Sequence, residues 1–134
     1  MRYAGMRAKN SNGGVVLVYV IQPGDFQHWI GVEEIMRAEA MEEAEATIAK
    51  AAEKMRQMIG IDPETHIRQG KTTEEIHAVI EEDQDIAILV LAAGSAKDGP
   101  GPLVSSIAGR GAAFPIPVTV IPDALSDEEI DALT

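Results

Sequence analysis

The sequence predicts a single α/β domain in which helices cover both faces of a parallel β-sheet. Three apolar, β-branched stretches lack alternation, as is typical of strands buried in such a sheet: Val15–Ile21, Ile86–Leu91 and Val118–Ile121. Helical patterns separate them, and strands that alternate with helices form parallel sheets with right-handed crossovers. A chain of 134 residues without a linker or an internal repeat fits one domain. We therefore expect residues 1–134 to form one three-layer α/β domain.

The first part of the chain predicts a helix end, a strand and a long helix. Arg2–Lys9 has the composition of the last turns of a helix, and the Asn- and Gly-rich residues 10–14 end it. The strand Val15–Ile21 follows. From Val32 to Ile59, apolar residues recur with helical spacing, while Glu and Lys fill the other positions. The expected apolar stripe consists of Met41, Ala44, Ile48, Ala51, Met55 and Met58.

The length of this second helix predicts an interruption. A helix over Val32–Ile59 would span ~42 Å, which is long for a small domain, so we expect a break near Ala38–Ala40. Gly60 is the expected stop, because glycine readily adopts the left-handed conformation that ends helices.

The middle of the chain predicts a weaker strand and a shorter helix. Thr65–Arg68 alternates only weakly between polar and apolar residues, which favours an edge strand. A helix is expected after Gly70, with Thr72 or Thr73 as its cap. Its end is expected at the acidic segment 83–85. Its apolar stripe is Ile76, Val79 and Ile80.

The last third predicts two helices beside the two remaining apolar strands. One helix is expected from Gly101-Pro102 to about Ala112, because a proline at the first helical position has no N–H to lose. Ser126, followed three residues later by Glu129, has the pattern of a capping box and predicts a short C-terminal helix.

The composition excludes several classes of function. With 22 acidic and 11 basic residues, the chain has a formal net charge of -11 and repels the phosphate backbone of nucleic acids. It has no cysteine, which excludes disulfide scaffolds, thiolate metal sites and iron–sulfur clusters. No apolar run reaches the ~18 residues of a membrane span, and the first residues lack the pattern of a signal peptide. We therefore expect a cytoplasmic protein that binds neither nucleic acid nor membrane.

Five short motifs follow one another along the chain. They are the helix end and strand of residues 7–21, the Glu/Ala/Met-rich helix, residues 67–76, residues 85–91 and the closing Pro-Val strand of residues 114–122. Together they cover nearly the whole chain. In their order, this sequence resembles the universal stress protein family.

The resemblance implies a Rossmann-like fold of the adenine-nucleotide alpha-hydrolase type, with a five-stranded parallel sheet of order 3-2-1-4-5. This sequence starts after the first strand of that pattern. We therefore expect strand 1, most of helix 1 and the family's nucleotide-contacting Asp to be absent, which would leave two half-sheets with unpaired edges.

The closing strand is the expected interface of a homodimer. Family members commonly dimerise along this strand, and the uncharged edge of Val118–Ile121 itself favours self-pairing. The alternative is that the chain's own C-terminal segment, Leu125–Leu133, folds back over the edge.

The segment after the second apolar strand carries part of the family's phosphate-binding pattern. That pattern is a glycine, two residues, a second glycine, nine residues, and then Gly followed by Ser or Thr. By the family's spacing, Gly94 matches the second glycine and Ser105 matches the closing Ser or Thr. The first glycine falls on Leu91 or Ala92 and the third on Val104. These departures matter because a Cβ obstructs the close approach of a phosphate to the backbone.

The same segment has the features of an anion site independently of the resemblance. It leaves the carboxyl end of a buried strand and enters a helix at Pro102, where open α/β sheets bind ligands. Free N–H groups and serine hydroxyls at the helix start favour an anion, with Lys97 and Arg110 as nearby positive charges. An ordinary loop also explains the glycines, since neither a P-loop nor a G-x-G-x-x-G motif is present. By resemblance, Val20 would present backbone groups to adenine. The candidate binding residues are Val20, Gly94, Ser95, Gly99, Gly101, Ser105 and Ser106.

Three functions remain open. The first is a non-catalytic stress-response domain that binds ATP with Mg²⁺, or a related nucleotide, as a dimer. The second is an interaction or signalling module with a degenerate site. The third is a small phosphoryl-transfer enzyme, for which the loop offers only Lys97 and Asp98. The histidines lack metal-site spacing, the serines form no triad and no loop residue is an evident base for water, so we expect no catalytic residue, no protein-held metal ion and little or no ATP hydrolysis.

Overall fold

The computed structural model shows an α/β protein. It describes residues 1–22, 33–92, 102–110, 114–122 and 124–134. The elements within these ranges, in chain order, are α1 (Arg2–Asn10), β1 (Val16–Ile21), α2 (Glu33–Met58), β2 (Glu64–Gln69), α3 (Thr72–Glu82), β3 (Leu89–Ala92), α4 (Pro102–Arg110), β4 (Val118–Ile121) and α5 (Asp127–Leu133). The α/β class and the alternation of strands with helices are therefore as the sequence predicts.

The strands form two parallel sheets of two strands each. β1 pairs with β2, with Val16 opposite Glu64, and β3 pairs with β4, with Leu89 opposite Val118. Within the described residues no ladder joins the two sheets, so the five-stranded order stays a prediction. Most residues of β1 and β3 are half-buried, and the expectation that both strands are fully covered was wrong.

The hydrogen bonds of the first ladder show which backbone groups of β1 are left over. The N–H of Glu64 donates to the carbonyl of Val15 (3.0 Å), and that of Gly70 donates to the carbonyl of Ile21 (2.9 Å). Along a strand, the backbone groups of successive residues point to opposite edges. The edge of β1 that faces away from β2 therefore carries the backbone groups of Val16, Val18 and Val20.

Helix α2 is continuous, and the expected break near Ala38–Ala40 was wrong. It reaches two parts of the molecule, since Ala44, near its middle, packs against Ile21 of β1, while Ile59, just past its last residue, lies against Gly5 of α1. The buried residues of α2 differ from the predicted apolar stripe, since Met58, which was expected in that stripe, is 54% exposed. The residues that are buried are Ala44, Ile48, Ala52, Met55 and Ile59.

Helix α2 ends as predicted at a glycine. Gly60 has φ 85°, and its N–H donates to the carbonyls of Met55 and Arg56, both at 3.1 Å. A residue with a Cβ is strained in this conformation, which explains why glycine stands there.

Helix α3 has the predicted apolar face but a different start. Its buried residues are Ile76, Val79 and Ile80, and it ends at Glu82. The expectation that Thr72 or Thr73 caps the helix was wrong, because the cap position is Lys71 and no side chain caps the first turn. The threonines are already helical, which leaves the Thr73 hydroxyl free to contact another element.

Strand β3 is shorter than the apolar run that predicts it. Residues 86–88 precede the ladder, which begins at Leu89, because β4 offers only four residues and starts at Val118. Ile88 is consequently 36% exposed. An apolar run shows which residues can form a strand, whereas the length of the partner decides how many do so.

Helix α5 lies against α1 and is held there by charge. The capping box at Ser126 and Glu129 is present as predicted. The guanidinium of Arg2 donates to both carboxylate oxygens of Asp131, at 2.9 and 2.8 Å, which holds the pKa of Asp131 below its ordinary value. The expected alternative in which this segment covers β4 is therefore not the one that the structure adopts. No helix in the described part of the chain is long and apolar enough to cross a membrane.

Candidate functional site

The carboxyl ends of the strands and the first turn of α4 contain the predicted site residues that the structure describes. Val20 is the penultimate residue of β1, and its side chain is half-buried. Its N–H and C=O face the edge that β2 does not use. These groups can therefore pair with a ligand that has a donor and an acceptor side by side.

The first turns of α4 present serines on one side and apolar residues on the other. Val104 and Ile107 are buried and pack with Leu91 of β3. Ser105 and Ser106 are exposed. Packing of the apolar side against β3 thus turns both serines towards solvent. The free N–H groups of the first helical turn lie at the same end of the helix.

A contact between two hydroxyls joins α4 to α3. The Oγ1 of Thr73 lies 3.2 Å from the Oγ of Ser106. His77 of α3 also meets the ring of Phe114 edge-on, with ring centres 6.2 Å apart and planes at 85°. Because α3 packs against β1 and β2 as well, it links the two sheets. The role of Thr73 was not predicted from the sequence, although its position just after a strand and a glycine was a usable signal.

The two described departures from the glycine pattern are explained by packing. Leu91 and Val104, which stand where the pattern has glycine, are each 9% exposed and belong to one apolar cluster. Their side chains fill the core between α4 and β3, so the Cβ of Val104 is used for packing. Ala92, the other residue considered for the first glycine, is exposed.

Other predicted residues lie outside the described part of the chain. These are Gly94, Ser95, Gly99 and Gly101, together with Lys97, Asp98 and the side chain of Arg110. Among the described residues, the structure brings Ser105 and Ser106 together on one helix, and no described contact joins either of them to Val20.

Charge near the carboxyl end of β2 is largely paired. The guanidinium of Arg68 is bound to the carboxylate of Glu82, which raises the pKa of the arginine and lowers that of the glutamate. Lys71, at the start of α3, is exposed. No group of three or more His, Asp or Glu residues within the described ranges could hold a metal ion. Within the described residues, the groups at this end that suit an anion are therefore the helix N–H groups, the hydroxyls and Lys71.

A comparison with models of known protein families shows to which family the chain belongs. A model of the universal stress protein family matches residues 1–122. The chain belongs to the universal stress protein family. The match confirms the resemblance drawn from the order of the motifs. No curated protein and no solved structure matched the chain in the corresponding comparisons.

Membership of the universal stress protein family supports a role in the stress response. The matched range includes every strand and the helices α1 to α4, while α5 lies beyond it. The family match thus covers all the described elements that contribute to the candidate site.

Proposed function

We propose that this universal stress protein binds ATP, or a related adenine nucleotide, at the carboxyl ends of β1 and β3. The observation that carries the proposal is the orientation of Val20, whose backbone groups face away from β2 at the end of β1. Adenine presents a donor beside an acceptor, which such a backbone pair can match.

The first turn of α4 is the proposed phosphate site. Its N–H groups and its positive end of the helix dipole attract anions, and the exposed hydroxyl of Ser105 adds a donor. Mg²⁺, where present, would be held through the phosphates, since it commonly binds in this way. No residue of the described site is placed to activate water, so we propose binding with little or no hydrolysis.

We further propose the family's strand order, with another parallel strand between β1 and β3 that pairs with Val16 and Val18 and ends before Val20, so that the backbone groups of Val20 stay available to the ligand. Residues 13–22 and 86–92 contain no charged residue, so the inner edges of both sheets suit an apolar neighbour. Parallel strands are normally paired on both sides and covered. Helix α3 contacts β1, β2 and α4, and so connects the first sheet to the helix that packs on β3.

The proposal also includes a homodimer through β4. Val120 is 41% exposed, and within the described residues no strand pairs with the outer edge of β4. Helix α5, the segment that could have covered this edge, is bound to α1.

The second candidate function is an interaction module that binds no nucleotide. It is favoured by two core residues, Val104 at the position of the third glycine of the family's pattern and Leu91, which with Ala92 is one of the two matches to the first glycine. Under this alternative the exposed surface of α4 would contact another protein.

Thermal-shift measurements with ATP and Mg²⁺ separate the two functions. A ligand at 100 times its dissociation constant stabilises the folded state by about 2.7 kcal/mol, which is readily detected. The measurement is made on this chain and on a chain extended upstream, with GTP as the control for adenine and Ser105→Ala as the control for the phosphate site. A shift with ATP that is smaller with GTP and in Ser105→Ala supports the proposal. No shift in either chain supports the interaction module.

A further inference from the structure

Two side-chain contacts hold helix α3 beside the part of the chain that contains α4 and β4. The Oγ1 of Thr73 lies 3.2 Å from the Oγ of Ser106 in α4, which is hydrogen-bond distance. One turn further along α3, the ring of His77 meets the ring of Phe114 edge-on, with ring centres 6.2 Å apart. Residues four apart lie on the same face of a helix, so this face of α3 is fixed at two successive turns.

The hydroxyl of Thr73 is available for this contact because the first turn of its own helix does not use it. The cap position of α3 is Lys71, and no side chain caps the helix. A threonine inside a helix commonly bonds to a carbonyl of the preceding turn, whereas the described bond of Thr73 is to Ser106. The contact with α4 therefore explains this threonine better than helix propensity does.

The two serines of α4 lie on opposite flanks of its buried side. Val104 and Ile107 form that buried side. Successive residues of an α-helix are turned by ~100° about its axis, so Ser105 lies beyond Val104, whereas Ser106 lies beyond Ile107. Thr73 contacts the flank of Ser106, which leaves the flank of Ser105 turned away from α3.

Apolar packing alone does not fix the rotation of α4 about its own axis. Leu91, Val104 and Ile107 form one apolar cluster, and apolar contacts have no preferred direction. A hydrogen bond on one flank of the helix does have a preferred direction. The contact between Thr73 and Ser106 therefore sets where the other flank and the N–H groups of the first turn point.

We propose that Thr73 is a positioning residue for the phosphate groups of the nucleotide. Through Ser106 it fixes the rotation of α4, and so aims the hydroxyl of Ser105 and the N–H groups of the first turn at the phosphates. This inference rests on the nucleotide binding proposed above, and it assigns Ser106 to holding α4 instead of to the ligand. The first turn of α3 contains Glu74 and Glu75, which suit its own N–H groups, so Thr73 acts through α4 and not as a phosphate ligand.

The dependence on phosphate separates positioning from a general loss of stability. Donors that are held in place before the ligand arrives bind it more tightly, so a loosened α4 should lower the affinity for the phosphate groups. The adenine contact proposed at Val20 lies on β1 and does not involve α4. The change in affinity for ATP relative to adenosine is therefore the informative quantity.

Substitutions of Thr73 test this role. Thr73→Val removes the hydroxyl and keeps the shape of the side chain, whereas Thr73→Ser keeps the hydroxyl. Thr72→Val is the matched control, since no described hydrogen bond joins Thr72 to α4. All variants are made in the chain, with or without the upstream extension, that binds ATP in the thermal-shift measurement.

Calorimetric titrations with ATP and Mg²⁺, and with adenosine, give the dissociation constants. We expect Thr73→Val to raise the dissociation constant of ATP about fivefold and that of adenosine less than about twofold, as for the loss of one hydrogen bond. Thr73→Ser and Thr72→Val should both stay within about twofold of the parent protein for ATP. In the Ser106→Ala background, Thr73→Val should have no further effect, because the partner of its hydroxyl is already gone.

The outcomes distinguish the positioning role from nucleotide binding itself. If the parent protein does not bind ATP, both proposals are wrong. If it binds ATP, and Thr73→Val either binds ATP as tightly as the parent protein or loses affinity for ATP and adenosine equally, the positioning role is wrong while nucleotide binding stands. Equal losses from Thr73→Val with and without Ser106→Ala would also overturn the role, because Thr73 would then not act through Ser106.

Discussion

The contact between α1 and α2 makes Gly5 the most informative position for a stability experiment. A Cβ built on Gly5 would lie 2.4 Å from the Cδ1 of Ile59, whereas ordinary contacts begin at 3.4 Å. The side chain of Ile59 is 7% exposed, so its end cannot turn freely into solvent. Helix α1 must therefore move away from α2 by about 1 Å, or Ile59 must leave its preferred rotamer.

Two opposing energies set the expected result of Gly5→Ala. Alanine in a helix interior gains about 1 kcal/mol over glycine, whereas overpacking of a core costs about 1–3 kcal/mol. We expect a net loss of about 1 kcal/mol in the free energy of unfolding, measured by urea denaturation followed by circular dichroism. The variant is compared with the parent protein under identical conditions.

A double-mutant cycle isolates the close contact. Ile59→Val removes Cδ1 and costs about 0.5–1.5 kcal/mol by itself. In the Ile59→Val background, Gly5→Ala should no longer destabilise the protein and should gain up to about 1 kcal/mol from helix propensity. The coupling energy of the two substitutions should therefore be favourable by about 1–2 kcal/mol. If Gly5→Ala stabilises both backgrounds equally, α1 does not pack on α2 as the structure shows.

Three further predictions concern the strand edge, the last helix and its charge contact. Val120→Lys should give a monomer by light scattering at unchanged helix content, and a lysine variant that stays dimeric would place the interface elsewhere. Ser126→Ala removes the cap of α5 and should cost that helix about 1 kcal/mol; faster amide exchange of residues 127–133 is the readout, and unchanged exchange would contradict the cap. The pKa of Asp131 is lower in the folded protein than in the unfolded chain, so its contact with Arg2 stabilises the folded state. This stabilisation is fully present above the unfolded pKa of about 3.9 and is lost as the pH falls through the lower folded value. The stability difference between the parent protein and Arg2→Met should therefore be present at pH 7 and vanish in acid, and a pH-independent difference would contradict the ion pair.

Local signals in the sequence were sufficient to locate the helices and strands. Ser126 and Glu129 form the predicted capping box, Gly60 ends α2, and Pro102 begins α4 as expected for a proline at a helix start. Each of these depends on a few neighbouring residues, so a single sequence contains the necessary information.

Errors arose where distant parts of the chain decide the outcome. The extent of β3 depends on its four-residue partner, and the buried line of α2 depends on where α1 crosses it, so Ile59 is buried and Met58 is exposed. Thr72 or Thr73 was expected as a cap, but neither caps the helix, and Thr73 contacts Ser106, which is 33 residues away in the chain. Periodicity shows that a helix has an apolar face, but packing partners decide which of two adjacent residues is buried.

The sequence predicted which elements form the candidate site, but not how the residues of these elements pack. The start of α4 could be predicted because it follows a strand. The burial of Leu91 and Val104 could not be predicted, because it depends on how α4 packs on β3. The orientation of the Val20 backbone likewise depends on the register with β2, which the sequence of β1 does not contain.

Amide-resolved NMR during a titration with ATP and Mg²⁺ is the decisive experiment on nucleotide binding, because it reports where the nucleotide binds. We expect saturable shifts of the N–H signals of Val20 and of Leu103 to Ser105, no shift of Thr65 and Ile67 on the far edge of β2, and weaker effects of GTP. Shifts confined to α1 and α5, or no saturable shift at millimolar ATP, would contradict this expectation.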